Sequence, residues 1–448
     1  MSLTAYFEKI PIFRNFVLPL IASPVRRRLA SGAFWGGVAG VGTKGLTIIA
    51  SFFLARLLGQ EGLGEYGVIN NTAGMIGSMA GFGIGATITK YVAEFKGKDP
   101  ERAGRILALS MGVTFILTFS YGAMFVVLAP WLAKCTLAAP HLAPMLQISA
   151  LTVAMGVVNG VQMCSLAGCE SFKASTWSMV VCTVIQTLAV VFGAWKWHLH
   201  GAVCALAMSM VVTIIVTRWV VAKEWKRFGI RLNWNKAWTE WQVLSQYSIP
   251  TFLGTMMVGP ITWGCVALLA NQPGGYAQLG IYHATNQWQT AIQFLPGLIG
   301  TATLPVMAER YGDRDVNGSV RVMKGMMGVI AIIVIPITCV VCFFGRWIMK
   351  GYGDVFLSGT TTLYLSVMTA ALLAIMTPVG QFLAASGKMW TAFLMNMGWG
   401  SSMCLLSWFF VKWGAEGLAG ARLIAYLIHA VWTLGFIVII QKKGHSLK

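Results

Sequence analysis

Apolar stretches of twenty residues or more recur along this chain from residue 33 to residue 440, and no other feature constrains its fold as strongly. A bilayer core is crossed by roughly 20 apolar residues in a helix. About twelve such segments can be laid out: 33–57, 66–90, 104–129, 145–168, 174–195, 200–222, 243–270, 277–305, 325–347, 358–385, 389–411 and 417–440. Only 10% of the 448 residues are charged and 57% are hydrophobic, where a soluble domain carries about a quarter charged residues. The expected fold class is therefore an all-α membrane protein. A β-barrel is excluded, because its strands run about 10 residues with alternating polarity. The nine cysteines fall in or beside these segments. Cys339 and Cys342 form a C-x-x-C within one of them, with no nearby histidine and no second pair, so packing rather than metal or redox chemistry is expected.

The formal charge of +19 is a matter of placement. With the N-terminus cytoplasmic, loops on that side carry about 25 Lys and Arg and the opposite loops about 6. The cytoplasmic set includes Arg26 to Arg28, the 90–105, 218–236 and 310–324 loops, and Lys442-Lys443. This bias predicts both termini inside and an even number of spans in a multi-pass protein. It excludes nucleic acid as a partner and leaves membrane lipid.

The chain repeats itself. AEFKGKDPE at Ala93-Glu94 returns as AERYGDRDV at Ala308-Glu309, and the same offset pairs Gly85 with Gly300 and Asn71 with Asn286. The pattern predicts two six-helix lobes, 31–223 and 243–440, related by a pseudo-twofold axis along the membrane normal. An interfacial segment, 1–30, should precede them and a short tail, 441–448, should follow. The linker 224–242 carries Trp225, Trp234, Trp238 and Trp241 among Lys and Arg, which predicts an amphipathic helix in the headgroup layer on the cytoplasmic side.

Three soluble-enzyme motifs begin and fail. Gly37 to Gly42 has P-loop spacing, but Thr43 follows and Lys44 comes one residue late inside a span. Asp313 to Gly318 starts like a calcium loop, yet Lys324 stands where a bidentate Glu is required. The Asp313-Arg314-Asp315 run is better read as a solvated turn than as a glycosyltransferase metal site. No catalytic residue, cofactor site or metal site is predicted, and no loop is long enough for a catalytic domain.

The polar residues inside spans carry more. No acidic residue lies in any span, yet Lys44 sits near the middle of the first, and intramembrane charges mark functional sites. A buried cation without a buried anion invites an anion from outside. Gly37, Gly40, Lys44, Thr47 and Ser51 share one helix face. Asn70 and Asn71 share another with Gly74, Gly77, Ser78, Gly81 and Gly85. His283, Asn286, Gln287, Thr290 and Gln293 form a stripe in the eighth segment, more polar groups than helix packing requires. Arg422 lies about one turn inside the last span, so it either faces the cavity or snorkels to the interface. The candidate ligand-binding set is Lys44, Asn70, Asn71, His283, Asn286, Gln287, Gln293 and Arg422. Pro250, Pro260, Pro296, Pro305, Pro336 and Pro378 concentrate in the second half, where they predict kinks.

The run Leu54-Ala55-Arg56-Leu57-Leu58-Gly59-Gln60-Glu61-Gly62-Leu63-Gly64-Glu65-Tyr66-Gly67 resembles the LARxLGPxxxGxY signature of Wzx-type polysaccharide flippases. These belong to the multidrug/oligosaccharidyl-lipid/polysaccharide (MOP) exporter superfamily. Gly83-Ile84-Gly85 and Tyr91-Val92-Ala93 match its continuation; Gln60 replaces the usual proline. The resemblance implies a non-enzymatic flippase for an oligosaccharide on undecaprenyl pyrophosphate, moved from the cytoplasmic to the periplasmic leaflet. It also implies a polysaccharide polymerase and a chain-length regulator as partners, as for O-antigen and lipopolysaccharide. The diphosphate would meet Lys44, and the sugars the neutral amides and histidine. Three rival readings are a cation-coupled multidrug exporter, a membrane polymerase and a non-transporting component of a glycan assembly complex. The first wants an intramembrane carboxylate, the second a large outer loop with acid–base residues, and the third has no use for Lys44.

Overall fold

The computed structural model describes residues 24–81, 83–243, 257–312, 315–387 and 389–445. Helices account for nearly all of them, and no strand occurs among the described residues. In lipid the backbone has no water to bond, so long continuous helices are the expected solution.

Helix α1 (Pro24–Ala80) is two arms joined at Gly59, whose φ of 71° and ψ of −173° turn the chain back on itself. Only glycine adopts that conformation without strain. Then follow α2 (Ile84–Phe95), α3 (Pro100–Trp131), α4 (Ala143–Gly168) and α5 (Phe172–Arg227). The last reverses at Trp197 and His198, again giving two arms. After the linker come α6 (Val258–Ala270), α7 (Gly275–Gly312), α8 (Val316–Phe343), the short α9 (Gly345–Tyr352), α10 (Thr360–Ala385), α11 (Met389–Phe410) and α12 (Gly414–His445). Among the described residues a helical segment falls in each of the expected apolar stretches, the seventh being described only from Val258 to Ala270. Among the described residues seven stretches of helix are long and apolar enough to cross a membrane by length and composition alone.

Pro336 and Pro378 do not break their helices: proline remains inside continuous helix at both, in α8 and α10, while Pro250 lies outside the described residues. The breaks fall instead in the first half, at Gly59, at Gly81–Gly83 and at Trp197–His198. The Gly83 break divides the expected second segment, 66–90, into the far arm of α1 and α2. A membrane helix keeps a proline by re-satisfying one carbonyl from its neighbours; a left-handed glycine at a helix start ends the ladder outright.

The linker is a second correction. It is not one amphipathic helix: α5 runs to Arg227, Gly229 turns left-handed at φ 68°, and short helical turns resume only at Ala237–Glu240 and Trp241–Val243. Glu240, 8% exposed, receives Arg102 and Arg105 of α3 at 3.3 and 3.4 Å, which pins the segment to the first half. Its two-sidedness survives, with Ile230, Ala237 and Val243 buried while Trp234, Trp238 and Trp241 stand exposed. Residues 1–23 and Asp313-Arg314 lie outside the described residues.

Helices α1 to α5 pack on one another, as do α6 to α12, and α1 against α7 makes the principal contact between the two groups. We call the surface with the 95–100, 168–172 and 227–243 turns the basic face. The opposite surface, with the turns at 59, 132–142, 271–274 and 353–359, is the far face.

Candidate functional site

The two groups are sewn together on the far face. Arg56 Nε donates to the Gly351 carbonyl at 2.9 Å and Gln60 Nε2 to the Val355 carbonyl at 2.6 Å. Asn271 Nδ2 donates to the Thr136 carbonyl and the Tyr276 hydroxyl to the Leu137 carbonyl, both at 2.7 Å. Deeper in, Ser51 Oγ meets the Tyr352 hydroxyl at 2.9 Å, and Trp263 Nε1 donates to Thr72 Oγ1 at 2.9 Å. The signature residues therefore build this seam. Gly64 and Gly67 let the second arm of α1 lie against α7: a Cβ at Gly64 would collide with the Tyr276 carbonyl, and one at Gly67 with the His283 ring at 2.8 Å. Small residues are what close helix approach in a membrane requires.

Just beneath the seam lies a polar cavity of about 220 Å³, walled by those glycines and by Asn70, Asn71, Tyr282, His283 and Asn286. Arg422 of α12 does not line it but holds two of its walls. Nη1 donates to the Tyr282 hydroxyl at 3.1 Å and to Asn286 Oδ1 at 3.0 Å. Nε is buried with no partner, and among the described residues no carboxylate pairs with this guanidinium. Arg422 thus points into the protein; snorkelling does not describe it. Gln287 Nε2 lies 3.2 Å from His283 Nε2, so it joins the site by fixing that ring. The ring's edge meets Tyr66, centroids 6.3 Å apart, and Asn70 follows Tyr66 by one turn of the same helix.

Two expected members stand apart. Gln293 lies about two turns beyond Asn286 along α7; its Nε2 is buried without a partner and does not line the cavity. Lys44 is the larger difference. It is about 22 Å along α1 from the Gly59 kink, against about 17 Å for Asn70 on the returning arm, so it sits deeper, toward the basic face. Its helix face does turn to the second group, since Gly40 lies under the Phe294 ring and Ser51 bonds Tyr352. Lys44 is half-buried and has no hydrogen-bond or ion-pair partner among the described residues.

Tyr282, Tyr66 and Tyr426 were missed as site residues. Tyr426 follows Arg422 by one turn of α12 and stacks on Trp399. The signal was available for Tyr282, one turn before Asn286 on the same helix face, but a tyrosine in an apolar run reads as packing. From Asn70 toward the basic face a second, apolar cavity of about 450 Å³ opens between the second arm of α1 and α4, floored by Gly74, Gly77, Gly156 and Gly160.

A family model described as "Polysaccharide biosynthesis protein" matches residues 29–310. The chain belongs to this family. It is 22% identical over 82% of its length to the EPS I polysaccharide export inner membrane protein EpsE of Ralstonia nicotianae, covering 83% of that protein. It is 22% identical to the lipid III flippase of Escherichia coli over 65% of this chain and 70% of that one. In fold it is similar to a multidrug resistance MATE family transporter of the MOP superfamily in an inward-facing conformation. That match has a TM-score of 0.71 and 14% identity over 89% of this chain and 96% of that one. It is similar also to the lipid II flippase MurJ, with a TM-score of 0.69 and 12% identity over 90% and 87% of the two chains. The resemblance read from the signature is confirmed: this is a multi-pass inner-membrane transporter of the MOP superfamily, related to polysaccharide exporters and flippases, and not an enzyme.

Proposed function

We propose that this transporter is a flippase for an oligosaccharide repeat unit carried on undecaprenyl pyrophosphate, moving it from the cytoplasmic to the periplasmic leaflet by alternating access. The basic face is then cytoplasmic, as are both termini. One observation carries the reading. Arg422 is a half-buried guanidinium with a buried, unpartnered Nε, held only by neutral groups, and two of these, Tyr282 and Asn286, wall a polar cavity with Asn70, Asn71 and His283. A charge buried without its partner is costly, and a diphosphate supplies the missing anion through paired N–H donors. Asn70, Asn71, His283, Asn286 and Gln287 give the first sugars neutral donors and acceptors. Lys44, deeper and unpaired, meets the headgroup on its way in from the cytoplasmic side, while the lipid tail stays in the bilayer beside the two groups. The relatives' names, lipid III flippase and polysaccharide export protein, point the same way. A polysaccharide polymerase and a chain-length regulator are the partners that would take the product.

The test is restoration of surface polysaccharide in a flippase-deficient bacterium at matched membrane levels. Wild type restores it and Arg422→Ala does not, while lipid-linked repeat units accumulate inside. Full restoration by Arg422→Ala would remove the anion site from the mechanism. Failure of wild type across several donor glycans, with drug efflux present instead, would favour the multidrug reading.

A further inference from the structure

A basic and aromatic cavity of the first group lies far from Arg422, on the basic face, and the transport cycle above makes no use of it. It measures about 600 Å³ and is bounded by the start of α1, the end of α2, the 169–174 turn and the end of α5. Lys96, Lys173 and Arg227 line it with Glu170 and Glu224. Both carboxylates are already engaged. Glu170 takes Lys96 at 3.1 Å, and Glu224 accepts from Ser171 Oγ at 2.7 Å and faces Arg227 at 3.6 Å. Lys173 has no carboxylate partner among the described residues; its ammonium stands 5.8 Å over the Trp35 ring.

Ser171 occupies the position before the first turn of α5, where a serine ordinarily accepts from the helix N–H groups. Here its hydroxyl is turned to Glu224 and caps nothing. The first backbone N–H closed within the helix is that of Ser175, so those of Phe172, Lys173 and Ala174, all cavity residues, are left for a ligand. A helix start beside a free ammonium is an anion site. The rim is aromatic: Trp177 is 58% exposed and Phe34, next to Trp35, 63%. Such a belt marks the level of the lipid headgroups. Cys169 contributes a neutral surface, since burial pushes its thiol up to about 11.

We propose that this cavity binds the phosphate of an anionic glycerophospholipid of the surrounding leaflet, with Lys173 and the first turn of α5 on the phosphate and the acyl chains against Trp177 and Phe34. The bound lipid bridges α1, α2 and α5 at the end of the group from which α1 rises to the seam. The assignment does not depend on what the transporter carries.

Native mass spectrometry of the purified full-length protein, titrated with phosphatidylglycerol, phosphatidylcholine or inorganic phosphate, tests it. Wild type retains one phosphatidylglycerol in preference to phosphatidylcholine. Lys173→Ala weakens that binding about fivefold, the worth of one cation near a membrane surface, and Lys173→Glu weakens it further. Lys173→Arg holds it, which shows that the fold is intact, and Lys223→Ala, outside the cavity, leaves it unchanged. Equal retention of phosphatidylglycerol by wild type and Lys173→Glu overturns the site. Displacement of the lipid by millimolar inorganic phosphate, with the same dependence on Lys173, overturns the lipid as its ligand and leaves a free-anion site.

Discussion

The two cations inside the spans have opposite surroundings. Arg422 is caged, with a tyrosine and an asparagine of α7 on its guanidinium and a cavity of about 220 Å³ beside it. Lys44 has no partner among the described residues and stands deeper, where Gly37 and Gly45 on its own helix face nothing within 4 Å. A guanidinium is a rigid planar fork and suits a fixed, two-point site; an ammonium on a flexible stem suits a passing contact. In the proposed cycle each stands where its geometry would be used, Arg422 as a binding cation under the seam and Lys44 as a relay cation toward the basic face. This division of labour can be broken by exchanging the cations.

The largest effect should come from Arg422. Alanine there leaves the cavity without a charge, and export should fall below detection at matched protein levels. Arg422→Lys should recover little, because the shorter side chain does not carry its nitrogen to the place of Nη1, which holds both Tyr282 and Asn286, and it lacks the further N–H donors of the planar fork. Loss of a charge-assisted pair of this kind is worth about 2–3 kcal/mol. That is a drop in export of one to two orders of magnitude. If lysine restored export fully, the planar geometry would be irrelevant and the contrast with Lys44 would collapse.

Next in size is the seam. Gly67→Val forces two methyl groups into the His283 ring, and overpacking of this sort costs about 1–3 kcal/mol. The far face should then fail to close, seen as faster labelling of a cysteine placed at Gln278 and as lower export. Gly37→Ala is the paired control, since a Cβ there meets open space, and it should be silent in both measurements. Similar losses from both would mean that the glycines serve general flexibility and not close approach.

Lys44 should come third. Lys44→Ala should slow export several-fold without abolishing it, and Lys44→Arg should retain most of it, both read as initial rates of surface polysaccharide recovery. Abolition by alanine would make Lys44 an equal partner of Arg422 in the bound state.

These contrasts show where the sequence was legible. Segment length and the signature give the helices and the family, because lipid leaves the backbone few options. The stripe His283, Asn286 and Gln287 is visible because it is periodic on one helix. The misplaced residues depend on relations between helices. Lys44 is central in its own span, but the neutral cage forms around Arg422, through Tyr282 from another helix. Depth within one span does not say which helix lies opposite. Proline content does not locate the breaks for a related reason: whether a proline interrupts a helix depends on what its neighbours offer the freed carbonyl, and Pro336 and Pro378 stay within continuous helix.

The smallest expected effect tests the signature's one departure. Gln60, where the family pattern has proline, donates to the Val355 carbonyl across the seam at 2.6 Å, and its own carbonyl is what Gly280 packs against. Proline keeps the carbonyl and loses the side-chain donor. It also suits this place, the first residue after the Gly59 turn, where a missing N–H costs little. Gln60→Pro should therefore cost one exposed hydrogen bond, about 1 kcal/mol at most, partly recovered because proline stiffens the unfolded chain. Melting temperature should change by only a few degrees and export should stay near wild type. Gln60→Ala, which loses the bond with no such recovery, should be the more destabilised of the two. If Gln60→Pro instead stopped export while Gln60→Ala did not, the residue's role would lie in backbone rearrangement at the kink during opening of the seam, and the hydrogen bond to Val355 would be incidental.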